Sequence, residues 1–60
     1  MKIIATFKVT LQSGEHFIVE QIQNDEGLVA VHLPKVDSFG YGATLEDAIS
    51  DAVNTANAGL

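Results

Sequence analysis

Two histidines and one glutamate, His16, His32 and Glu20, are the side chains of this chain best suited to acid–base chemistry. Imidazole titrates near neutrality. A pair of them on one side of neighbouring strands can hold a phosphate or serve as acid and base, with Glu20 orienting a ring. No serine or cysteine stands at a spacing that would complete a nucleophilic triad. Cysteine is absent altogether, which removes disulfides and thiolate ligands together. Two histidines alone cannot close a four-ligand zinc site, so neither a metal nor another cofactor is expected.

A second stretch with chemical content is Phe39-Gly40-Tyr41-Gly42-Ala43-Thr44. Two glycines directly before a helix start can present backbone N–H groups to a phosphate. The lysine of a phosphate-binding loop is missing, however, and Glu46 and Asp47 at the same helix end would repel an anion. The plainer reading has the glycines turning the chain sharply, with Phe39 packed inward and Tyr41 near the rim. The other reading has an aromatic ring that stacks on a base or grips a partner. For a small ligand the candidate set is Lys8, His16, His32, Phe39, Tyr41 and Thr44.

These residues depend on strands for their placement. From Ile3 to Leu11 the odd positions are all apolar and the even ones polar, apart from Ile4, which is the pattern of a half-buried strand. Gln12-Ser13-Gly14 supplies a turn, and Glu15 to Gln23 returns, setting Val9 opposite Phe17 and Phe7 opposite Val19. Asn24-Asp25-Glu26-Gly27 is a second turn before Leu28 to Leu33. Pairing Gln23 with Gly27 would set Val19 opposite Val31 and Phe17 opposite Leu33, keeping the odd face apolar in every strand. Pro34 ends the ladder, since it has no N–H to donate. On the even face this register gathers Ile4, Ile22 and Leu28 at one end. Lys8, Thr10, His16, Ile18 and His32 gather at the other, with Thr6, Glu20 and Ala30 between. One reading is a solvated face with a few scattered apolar residues; the other is a face covered by a second copy, for which Ile4, Ile18, Ile22 and Leu28 are the contact candidates.

Thr44 is an N-cap with Asp47 at the third helical position, and both Glu46 and Asp47 complement the positive helix end. Leu45, Ala48, Ile49, Ala52, Val53 and Ala56 make a continuous apolar stripe, and Gly59 is placed to stop the helix. The predicted architecture is α+β. It is a three-stranded antiparallel meander with one C-terminal helix on its odd face, β-β-β-α, to which residues 37–41 can add a short edge strand. All of it lies in one domain, residues 1–60.

Leu33 to Val53, LPKVDSFGYGATLEDAISDAV, joins a proline-ended strand, a glycine-rich loop and a capped helix without a gap. This run resembles the HicB-like antitoxin family, whose members carry Leu-Pro, a short loop, Gly-x-Thr-Leu-Glu-(Glu/Asp)-Ala and a helix. Residues 17–57 can be laid against the family pattern, with a longer loop between Pro34 and Gly42. The likeness is to the HicB-like domain standing alone, without the DNA-binding segment that many members add. It implies a strand-loop-helix core and a small basic ribonuclease toxin as the factor neutralised, with Glu46, Asp47 and Asp51 forming the acidic surface offered to it.

Composition narrows the classes further. A 60-residue chain buries only about 60% of the surface its unfolded form exposes, so assembly with another chain is the natural stabiliser where disulfides and metals are missing. A net charge of −5, with three basic residues, argues against direct binding to nucleic acid. It favours a basic protein or a nucleotide-type small molecule as partner. No stretch approaches the about 20 apolar residues needed to span a bilayer, and the N-terminus reads as a strand rather than a signal peptide, so a cytoplasmic protein is expected. Two function classes follow. One is a self-assembling, HicB-like inhibitory module without catalytic activity. The other is a bacteriophage counter-defence protein that sequesters, or with His16 and His32 hydrolyses, a nucleotide-type immune signal in pockets between subunits.

Overall fold

The computed structural model describes residues 1–58, so the place expected for Gly59 at the helix end lies outside the described residues. In chain order the elements are β1 (Ile3–Thr10), β2 (His16–Ile22), β3 (Val29–Leu33), β4 (Ser38–Gly42) and α1 (Leu45–Ala58). The sheet is antiparallel with strand order β1-β2-β3-β4. It therefore has four strands, the fourth being the short edge strand expected of residues 37–41, one residue further along. Residues 38–42 pair with β3 along their whole length, from Leu33 opposite Ser38 to Val29 opposite Gly42. Two glycines in five residues make this strand faint in the sequence, because glycine lacks the side chain that makes alternation visible.

The first hairpin has the expected register, Val9 opposite Phe17 and Phe7 opposite Val19. Near its start Ile3 stands opposite Ile22 and Ala5 opposite Gln21, so Ile4 is bulged out of the ladder. The second hairpin differs from the expected pairing by two residues. Gln21, not Val19, faces Val31, and Glu20 faces His32. A shift of two keeps every side chain on its own face, so hydrophobic alternation cannot detect it. The loop decides instead: the Glu26 N–H donates to Asn24 Oδ1 at 2.7 Å, a local turn that takes more residues out of the ladder than a tight hairpin would.

Helix α1 starts where its cap predicts, with the Asp47 N–H donating to Thr44 Oγ1 at 3.1 Å. Its stripe docks on β3 and β4 rather than across the whole apolar face, because those strands let it come close. A Cβ on Gly40 would overlap the Ala48 carbonyl oxygen and sit 2.7 Å from the Ala52 Cβ. The Ser38 hydroxyl, buried below the helix, donates to the Ala52 carbonyl at 2.6 Å. The core is accordingly Val19, Val31 and Leu33 under Ala48 and Ala52, with Phe7, Val9, Phe17, Val29, Leu45, Ile49 and Val53 around it. Ile49, near the middle of the apolar stripe, is only half-buried, and Ala48 and Ala52 sit deepest against the sheet. Ile49→Ala is thus expected to lower stability by about 1–2 kcal/mol, below the range for a fully buried isoleucine, and a denaturant midpoint measures it.

Candidate functional site

The face of the sheet opposite the helix is uncovered among the described residues. Register places on it Thr6, Lys8 and Thr10 of β1, His16, Ile18, Glu20 and Ile22 of β2, and Ala30 and His32 of β3. Phe39 and Tyr41 of β4 join them, standing opposite His32 and Ala30. Phe39 therefore points away from the helix, not inward, because the odd residues of β4 share a face with the even residues of β3. Phe39 is 39% exposed and Tyr41 49%. Ile4, Ile18 and Leu28 are also exposed, while Ile22 is half-buried. Ile3, opposite Ile22, belongs with them, because the bulge moves it to the position that unbroken alternation gave Ile4.

At the centre sits His32, only 8% exposed. Its Nδ1 lies 2.9 Å from Glu20 Oε1 on β2, and its Nε2 lies 2.7 Å from Asp37 Oδ1 in the turn between β3 and β4. The ring packs on Phe39 with centroids 4.5 Å apart. Two carboxylates at the two ring nitrogens require N–H on both, so the geometry calls for the imidazolium. The hydrogen bond with Glu20 raises the His32 pKa above its ordinary 6.5, the one with Asp37 adds to this, and burial opposes both. Asp37 reaches back by adopting a left-handed conformation, φ 51°, which aspartate tolerates better than most residues. Asp37 was missed from the sequence because its contact depends on the closure of the 34–37 loop.

The histidine pair does not form. His16 is exposed opposite Thr10, four residues along β2 from Glu20, or about 13 Å at the usual strand rise. His32, with both nitrogens engaged, is not a free base, and the Ser38 hydroxyl is buried and committed to Ala52. The ligand candidates are dispersed as well. Lys8 on β1 and Tyr41 on β4 are separated by two strands, about 14 Å across the sheet. Thr44 is occupied as the helix cap. Of the acidic candidates, Glu46 and Asp47 are exposed on the first helical turn. Asp51 has a structural duty, its Oδ2 accepting from the Tyr41 N–H at 2.9 Å on the free edge of β4. Among the described residues no cluster of His, Asp and Glu is arranged to hold a metal ion, and no helix is long and apolar enough to cross a membrane. The arrangement can hold a charge and pin a turn, and it presents an apolar, aromatic surface for contact. No family model, no curated protein and no solved structure matches the chain.

Proposed function

We propose that the chain is a small self-assembling binding module of the HicB-like kind, which acts in the cytoplasm by neutralising another factor through contact. One observation carries the reading: the helix covers a single face of the sheet, and the other face exposes Ile3, Ile18, Phe39 and Tyr41 around the buried His32. Large apolar side chains gathered on one side of so small a domain mark an interaction surface. The engagement of His32 by two carboxylates favours binding over turnover. Net charge of −5, with Glu46 and Asp47 free on the helix, favours a basic factor such as a small ribonuclease toxin.

Phe39 and Tyr41, exposed on one face of β4, support a second reading, capture of a nucleotide-type immune signal by a bacteriophage counter-defence protein. Against it, Glu20 and Asp37 flank His32 where a phosphate would need cations, and the 610 Å³ depression that Phe39 borders is also lined by Asp37.

Replacing Ile18 or Ile22 with Lys should lower the mass seen by sedimentation at micromolar concentration, because the lysine would carry charge into the contact. A wild-type chain that stays at 6.4 kDa throughout that range overturns self-assembly. For the captured factor, added salt and the change of Glu46 and Asp47 to amides should weaken binding to a small basic toxin severalfold. Tyr41→Ala should weaken binding only if calorimetry against a nucleotide panel gives heat with the wild type.

A further inference from the structure

The two free edges of the sheet are treated differently. On β4 the outward Tyr41 N–H is closed by the Asp51 carboxylate of the helix at 2.9 Å. On β1 nothing among the described residues plays that part. The Leu11 N–H donates to the Glu15 carbonyl at 2.7 Å, so Leu11 faces β2. Alternation along an antiparallel ladder then turns the backbone groups of Phe7 and Val9 toward β2 as well, and those of Thr6, Lys8 and Thr10 toward solvent. β1 is eight residues long and contains no proline. Such an edge is a template for another strand.

Charge identifies the strand that fits. All eight acidic residues lie at or after Glu15, whereas residues 1–14 contain Lys2 and Lys8 and no acid. In a chain of net charge −5, two copies repel least when they meet along this acid-free strand, which keeps their acidic helices at the far ends. Docking of α1 on β3 and β4 also leaves Phe7 and Val9 only half-buried at the β1 end of the core. A second copy brings matching apolar residues to that place. We propose that β1 pairs antiparallel with β1 of a second copy about a two-fold axis near Phe7, joining two four-stranded sheets into one of eight strands. Phe7 then faces its own symmetry mate, Thr6 bonds with Lys8 of the other chain, and the two Lys8 side chains stay apart.

This inference rests on the self-assembly reading and adds a contact distinct from the open face. Together the face contact and the edge contact close a four-chain particle. The area a strand edge buries is small beside the about 800 Å² per partner of a standard interface, so the edge contact exchanges at micromolar concentration.

The test uses the full chain, made by chemical synthesis with a backbone N-methyl group at Lys8, and compares its sedimentation mass with that of the unmodified chain and of Ile18→Lys. The Lys8 N–H bonds nothing within the monomer, so the methylated chain is expected to keep its far-ultraviolet spectrum while its mass falls from four chains to two. Ile18→Lys is expected to leave a two-chain particle held by the edge, and amide exchange at Thr6 and Lys8 in the unmodified chain is expected to slow as concentration rises. A folded N-methyl variant of unchanged mass, with exchange at Thr6 and Lys8 independent of concentration, overturns the edge contact and leaves the face reading standing. A fall of the N-methyl variant to single chains keeps the edge contact and overturns the face contact. An unmodified chain that is monomeric overturns both.

Discussion

Gly40→Val is expected to leave the chain unfolded at room temperature, the largest effect of any single substitution on this fold. A Cβ at Gly40 meets the Ala48 carbonyl and the Ala52 amide, which are helix backbone and cannot rotate away. The helix would have to lift, uncovering Ala48 and Ala52 from Val19, Val31 and Leu33 and breaking the Ser38 to Ala52 hydrogen bond. Overpacking of a core costs about 1–3 kcal/mol even where side chains can adjust, and a domain of this length has roughly 3–9 kcal/mol in all. Here the obstacle is backbone, so the upper end applies and the added loss of core burial exhausts the remainder. Gly42→Ala is the graded comparison. Its Cβ would sit 2.6 Å from the Asp47 Cβ and 2.9 Å from the Ala48 amide nitrogen, at the end of the helix rather than its middle. It should lower the denaturant midpoint while leaving the helical signal in place, whereas Gly40→Val should remove that signal.

His32→Ala should cost about 2–3 kcal/mol, through loss of a charge-assisted hydrogen bond to the sheltered Glu20 and of packing on Phe39. The Asp37 side of the clamp adds little, because that carboxylate is 84% exposed and screened by water. The pH dependence has a definite sign. Folding holds the proton on His32 more tightly than the unfolded chain does, so this stabilisation is complete below the ordinary pKa of 6.5 and is lost as pH rises through the higher folded value. Denaturant midpoints of the wild type should therefore fall on going from below pH 6.5 to well above it, and His32→Ala should show none of that component. A wild-type midpoint that rises over the same interval would mean that His32 is not held as the imidazolium.

Both effects come from features that the sequence displays only in part. Capping by Thr44, the odd-face core of the first hairpin and the apolar stripe of the helix are legible, because each is a local pattern with a period or a fixed spacing. The helix's preference for β3 and β4 is not, because it follows from glycines whose purpose shows only when a second element lies against them. The candidate site was less legible than the fold. Glu20 and His32 were singled out as chemistry-bearing residues, but a two-residue shift in register pairs them directly and removes His16 from the group. Asp37 enters by loop closure and Phe39 by the parity of a strand with no alternation to read. Ile4 and Ile3 exchange roles through one bulge.

The most direct test of a self-assembling module with its contact on the open face is a dilution series followed by methyl nuclear magnetic resonance of the isoleucine, leucine and alanine side chains. Methyl signals of Ile3, Ile18, Ile22 and Leu28 are expected to move with concentration through the micromolar range while those of Ala48 and Ala52, sealed beneath the helix, stay fixed. Spectra in which the four open-face methyls hold their positions at every concentration would contradict it.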